Sequence, residues 1–294
     1  MRIRSAEDRI VDILAAVIVA LYAIFCLYPI VYCLSMSLSG DSAIVKHSVW
    51  LLPEGFNLES YKMVLEYPGF LNSFKNAVVY TVLGTLASLI CNLSLGYVLA
   101  RRNFVFKKFL TVYILIPMMF SGGLIPSFLL IKSLGMYNTI WAIIIPGAVS
   151  VWNAILAKTF FQSTIPTEVI ESAVLDGASD FGILLRIVLP LSTTIIAILA
   201  LYAAVGIWND YFNALIYLKD EALKPLQLLL KEVLSTTGSS ISDIMDSADY
   251  LKNYVNGERI KYVLIIVSCL PIMLVYPLIQ RYFVKGVMLG SVKG

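Results

Sequence analysis

Histidine is almost absent: His47 is the single one in 294 residues. One imidazole excludes Ser–His and Cys–His catalytic arrangements, histidine metal clusters and histidine proton relays. His47 itself stands in a polar stretch and is expected on a surface loop. Charge is scarce as well. Asp, Glu, Lys and Arg make up 14% of the chain, and the net charge of +3 is spread along it, so there is no basic footprint for nucleic acid. The cysteines Cys26, Cys33, Cys91 and Cys269 lie in apolar runs without the close paired spacing of zinc or redox sites, and read as packing residues. No Gly-x-x-x-x-Gly-Lys-Ser/Thr loop is present to cradle phosphates, so this chain lacks that type of nucleotide site.

What fills the space is apolar sequence. At 59% hydrophobic residues, the chain has far more apolar surface than one soluble core of this size needs, which makes it a membrane protein. Long apolar runs give a polytopic all-α fold of six transmembrane helices, each near the roughly 20 residues a bilayer requires. The expected spans are about 13–34, 76–100, 109–131, 139–157, 190–217 and 262–283. Arg2, Arg4 and Arg9 precede the first span, and Arg101, Arg102, Lys107 and Lys108 follow the second. Basic residues collect on the cytoplasmic side, so both termini and the 101–108 loop are expected inside.

That topology puts residues 35–67 and a long loop over 219–261 outside, within a single 294-residue transmembrane domain. Inside the external loop, Pro225–Leu234 has the pattern of a short helix and Thr236–Tyr250 reads as exposed loop. Pro117, Gly122, Gly123 and Pro126 in the third span free backbone groups and allow a bend or a close helix approach.

One polar interruption looks like a folded device, the segment 163–190 between spans four and five. Thr164 and Pro166 suit the start of a short helix, with Glu168 and Glu171 near its positive end. Asp176-Gly177 ends that helix, because glycine tolerates the left-handed conformation that closes it. Ser179 or Asp180 then caps a second helix beginning at Phe181 and limited by Pro190. By shape alone, a connecting loop and a docking surface for a partner both remain open.

The residues of this segment carry a family resemblance. Glu171-Ser172-Ala173, Asp176-Gly177-Ala178, Ile187 and Leu189-Pro190-Leu191 resemble the EAA motif of permease subunits in bacterial ABC importers, with Ser172 where the family usually has alanine. The tail Tyr282–Gly290 and the external Pro53, Asn57 and Tyr61 are similar to carbohydrate-type members. Ser121–Pro126, Gly135-Met136 and Pro225-Leu226-Gln227 are similar to a subgroup for complex or polymeric sugars, of the alginate or pectin-fragment kind.

The resemblance implies a bacterial inner-membrane subunit that is not itself an enzyme. It implies a second homologous permease, two copies of a cytoplasmic ATPase holding ATP and Mg, and an extracytoplasmic sugar-binding protein. No cofactor or metal is expected on this chain. The segment 163–190 becomes the coupling loop, with Glu168, Glu171, Ala173, Asp176, Gly177, Ala178, Phe181 and Pro190 as its contact and framework residues.

Sugars are bound by aromatic faces together with hydrogen-bonding groups, and polar groups inside membrane helices point to function. Trp208, Asn209, Tyr211 and Asn213 combine both, and in a continuous helix Asn209 and Asn213 share a face. With Trp152 and Asn153 of the fourth span and Tyr80 of the second, they are the candidate substrate path; helix packing or an interfacial aromatic belt is the alternative for each. Two other functions stay open at this point, a secondary carrier and a membrane scaffold.

Overall fold

The computed structural model describes residues 6–46, 48–239 and 247–291; His47 and the middle of the expected 236–250 loop lie outside them. Among the described residues every regular element is helical. In chain order they are α1 (Ala6–Ser37), α2 (Asp41–Lys46), α3 (Glu59–Glu66), α4 (Phe70–Ala100), α5 (Lys107–Met119), α6 (Leu124–Ser133), α7 (Trp141–Gly147) and α8 (Val151–Thr164). There follow α9 (Thr167–Leu175), α10 (Asp180–Ile183), a π turn (Leu184–Val188), α11 (Leu189–Leu191), α12 (Thr193–Trp208), α13 (Tyr211–Tyr217), a 3-10 turn (Glu221–Leu223), α14 (Leu226–Ser239) and α15 (Ser247–Ser291).

Three stretches, Arg9–Ser37, Phe70–Ala100 and Val255–Pro277, are single helices long and apolar enough to cross a bilayer. Three more candidates are bent pairs: α5 with α6 at 117°, α7 with α8 at 44°, and the 180–191 segment with α12 at 87°. The all-α polytopic expectation holds, with up to six spans if each bent pair is one crossing.

The chain divides into two compact units, Met1–Phe70 with Leu230–Leu270, and Leu71–Leu229 with Pro271–Gly294. In the first, Met36, Ala43, Ile44 and Val49 form a buried cluster beside the end of α1, joined by Tyr32 and Tyr262. Arg259 is buried there, with its Nη2 2.6 Å from Asp41 Oδ1 and 3.5 Å from Glu59 Oε2. A buried guanidinium needs such carboxylates to offset its lost hydration.

Two cores lie among the described residues of the second unit. One joins Leu93 and Tyr97 of α4, Ala157 and Phe161 of α8, Ala173 of α9, Ile183 of α10, Leu184 and Val188 of the π turn, and Ile195 and Leu199 of α12. The other gathers Tyr80, Ile131, Ala142, Ile143, Ala214, Tyr217, Leu218 and Leu228.

Several expected boundaries move. The sixth span was expected from Tyr262, but α15 already begins at Ser247 and contains the whole 282–290 tail motif. The 219–261 segment is correspondingly mostly helical where described; α14 extends the expected Pro225–Leu234 helix to Ser239. Apolar composition marks the thickness of hydrocarbon, whereas a helix continues into water wherever capping and packing sustain it. The fourth span continues to Thr164. The fifth begins at Thr193 and stops at Trp208.

Candidate functional site

The 163–190 segment is clamped on the second unit. Ile165 and Pro166 are extended, and α9 starts at Thr167; Pro166 is the residue before the helix and makes no side-chain cap. Thr164 belongs to the end of α8, so it does not serve as the expected cap. At the other end of α9 the Gly177 N–H donates to Val174 O at 3.0 Å and the Ala178 N–H to Ala173 O at 2.9 Å. These paired bonds are the Schellman closure, and they require the left-handed backbone of Gly177, at φ +79°.

Ser179 then caps α10, its Oγ accepting from the Gly182 N–H at 3.2 Å. Both halves of the expected helix–turn–helix are present, but Pro190 does not end the second. The Leu189 N–H reaches back to Leu184 O, so a wide π turn precedes the proline. A wide turn relieves the clash that a proline ring makes with the carbonyl four residues earlier. The chain turns sharply only at Ser192.

Contacts outside the segment hold it in place. Arg101 Nη2, just past the end of α4, lies 2.6 Å from Asp180 Oδ1, and the same guanidinium covers the Tyr97 ring at 5.7 Å. Ala173 is buried in the core shared with Phe161 and Val188, which explains the need for a small residue there. Gly96 lets α4 press against α8: a Cβ built on it would sit 2.6 Å from Ala157 Cβ and 3.0 Å from Ala154 O. Beside α9 lies a cavity of about 530 Å³, lined in part by Tyr97, Arg101, Arg102, Gln162, Glu171 and Val174.

The outer surface of the segment is different in kind. Leu175 is 88% exposed and Phe181 69% exposed, one on each side of the Gly177 turn. Glu168, Glu171, Asp176, Ala178 and Pro190 are exposed as well. Ser172 uses its hydroxyl locally, donating to Glu168 O at 2.8 Å.

The candidate path residues are not assembled as expected. The helix breaks inside their run: Trp208 ends α12, Asn209 terminates it, and Asp210 starts α13 by accepting from the Asn213 N–H at 3.0 Å. Asn209 and Asn213 therefore do not share a face of one continuous helix. Asn209 Nδ2 donates to Val205 O at 2.9 Å, and Asn213 Nδ2 donates to Asp210 Oδ2 at 2.7 Å. Trp208 is buried edge-on against Phe74, while Tyr211 and Trp152 are exposed and Asn153 is buried in the first turn of α8. Tyr80 is buried, its hydroxyl donating to Leu223 O at 2.8 Å.

Three positioning residues escaped the sequence reading. Asn92, buried in α4, donates to Ala148 O at 3.0 Å and accepts from the Ser150 N–H at 2.9 Å, which fixes the break between α7 and α8. Asn76 donates to Ala222 O at 2.8 Å and Lys224 O at 3.2 Å. Asn138, left-handed at φ +58°, accepts from the N–H groups of Lys219 and Asp220. For Asn76 and Asn92 the available signal was an amide inside an apolar helix, where an unpaired polar group is costly; Asn138, in the turn between α6 and α7, gave none.

Bent apolar helices carrying an exposed, tightly closed helix–turn–helix define a polytopic membrane protein. Residues 92–289 match the family described as "binding-protein-dependent transport system inner membrane component", and the chain belongs to it. It is 41% identical over 268 residues to Protein LplC of Bacillus subtilis (strain 168), covering 90% of this chain and 89% of that one. It is 36% identical to the polygalacturonan/rhamnogalacturonan transport system permease protein YtcP of the same organism, covering 98% and 100%. A chain in the crystal structure of a bacterial ABC transporter involved in the import of the acidic polysaccharide alginate superposes with a TM-score of 0.86 at 33% identity, covering 96% of this chain and all of that one.

The resemblance to ABC-importer permeases is thus borne out. The chain is an inner-membrane transport component rather than a catalytic enzyme.

Proposed function

We propose that this chain is the membrane-spanning permease of an ATP-driven importer for oligosaccharides or complex sugars. Its relatives in pectin-type and alginate transport support that substrate class. A homologous second permease, two copies of a cytoplasmic ATPase binding ATP and Mg, and an extracytoplasmic sugar-binding protein complete the assembly; membrane lipids surround it. Both termini and the 163–190 loop are cytoplasmic, and the 219–261 segment is extracytoplasmic, in keeping with the basic residues flanking the spans.

The observation that carries this reading is the contrast within the loop. Its inner face is bonded and packed, while Leu175 and Phe181 stand uncovered beside a closed Gly177 turn. Rigid backing with an exposed apolar tip suits transmission of a push from a partner. Glu171 faces that partner, Ala173, Asp176, Gly177, Ala178 and Pro190 hold the shape, and Glu168 serves the helix dipole. ATP-driven closure of the partner pair then rocks the helices between inward and outward openings.

Replacing Gly177 with valine should impair assembly or substrate-stimulated ATP hydrolysis of the purified complex; if both are unchanged, the loop does not couple. Asn209, Asn213, Trp208, Tyr211, Trp152, Asn153 and Tyr80 remain the proposed substrate path. The Asn209→Ala, Asn213→Ala double variant should lower sugar uptake with assembly intact, and full uptake by it removes that assignment.

A further inference from the structure

Residues 50–58 follow α1 and α2 in the first unit and are unusual in composition for a loop. Trp50 is 73% exposed, Leu52 78% and Phe56 67%, and Leu51 and Leu58 are also more than half exposed. An uncovered group of large apolar side chains this dense marks an interaction surface.

The loop is held firmly against the end of α1. Ser35 Oγ donates to Leu51 O at 2.6 Å, the Asn57 N–H to Leu38 O at 2.9 Å, the Gly40 N–H to Glu54 O at 2.9 Å, and the Glu54 N–H to Ser39 Oγ at 3.2 Å. Ser48 Oγ adds a bond to Glu54 Oε2 at 2.6 Å. Backbone groups of Leu51, Glu54 and Asn57 thus bond inward to the end of α1, while the large apolar side chains stand exposed.

Depth decides what covers them. The apolar run of α1 ends at Leu34, and the Leu51 carbonyl is bonded by the next residue, Ser35. The residues of α1 preceding it, Leu27, Ile30, Val31 and Leu34, are themselves exposed apolar groups on a membrane-spanning helix. The Trp50–Leu52 tip is therefore at the boundary between hydrocarbon and headgroups, where tryptophan is favoured because its ring is apolar and its N–H is wet.

We propose that the 50–58 loop is a lipid anchor, inserting Trp50, Leu51 and Leu52 into the bilayer interface at the Ser37 end of α1. The anchor fixes the depth and tilt of α1, and it depends on α1 spanning the bilayer rather than on any coupling partner.

The test uses the full chain, with the subunits that co-purify, in nanodiscs made with ordinary phosphatidylcholine or with the same lipid brominated near the carbonyl end of its acyl chains. Subtracting the emission of the Trp50→Phe variant from wild type isolates Trp50 from Trp141, Trp152, Trp208 and any partner's tryptophans. A blue-shifted Trp50 component that loses most of its intensity in brominated lipid is the expected result. A blue-shifted component insensitive to bromine means that a protein covers the loop, and a red-shifted, iodide-quenched component means that water does; either overturns the proposal. Leu52→Trp in the Trp50→Phe background gives a second reporter, and it should show the same bromine quenching.

Discussion

The turn at Gly177 and the breaks at Ser150 and Asp210 do the same geometric job in opposite surroundings. Each ends one helix and starts another with a side-chain cap: Ser179 for α10, Ser150 for α8 and Asp210 for α13. The Gly177 turn lies in polar sequence, closes through its own backbone and leaves its tip exposed. The other two interrupt apolar runs, and the Ser150 break needs a partner from another helix, Asn92, to satisfy its backbone. In water a freed N–H or C=O finds a solvent partner, whereas in hydrocarbon the protein must provide one. The turn at Gly177 is therefore a local event, and the break at Ser150 is a tertiary one.

Substitutions can test that distinction. The largest effect is expected from Asn92→Leu, which strands Ala148 O and the Ser150 N–H in a buried site at roughly 1–3 kcal/mol per unsatisfied group. The protein should lose yield and melting temperature in detergent; a variant as stable as wild type shows that the α7–α8 break is self-sufficient. Gly177→Val comes next. A branched side chain at φ +79° costs on the order of 1–3 kcal/mol locally, yet little stability is expected to be lost elsewhere, because the turn is exposed. Thermal unfolding should shift less than for Asn92→Leu.

Asp210→Ala should cost about 0.5–2 kcal/mol by removing the α13 cap. Asp210→Asn keeps an acceptor oxygen and should recover most of the loss, as read by the melting temperature; equal losses for both would mean that the charge rather than the cap matters. The smallest effect belongs to Arg101 and Asp180. Their pair is solvated on the aspartate side, so a double-mutant cycle with Arg101→Gln and Asp180→Asn should return a coupling of about 0–1 kcal/mol that fades with salt. A coupling well above that would make this ion pair, rather than the packing of Ala173, the principal clamp of the loop.

Legibility in the sequence follows the same division. The helix–turn–helix at 167–183 could be read from Asp176-Gly177 and Ser179, since caps are decided within a few residues. The fate of Pro190 could not, because a π turn upstream of it depends on how Leu184 and Val188 pack in the core. The run 208–213 looked like uninterrupted helix: Asn209 and Asp210 are compatible with one, and only their placement shows that the chain stops and restarts there. Asn92 was visible as an amide in an apolar helix, but its partners at 148 and 150 are far along the chain.

Sequence alone determined that this chain lives in a membrane, that its regular structure is helical, and that a capped helix pair interrupts it before the fifth apolar run. Those properties follow from composition, from the length of apolar runs and from neighbours in the chain. Tertiary structure decided where the spans break, which amides hold the breaks, and which side of the 163–190 loop is buried. Those outcomes depend on pairing backbone groups that no bilayer solvent can satisfy with side chains brought from distant helices, and on the close approach of α4 and α8 that Gly96 permits.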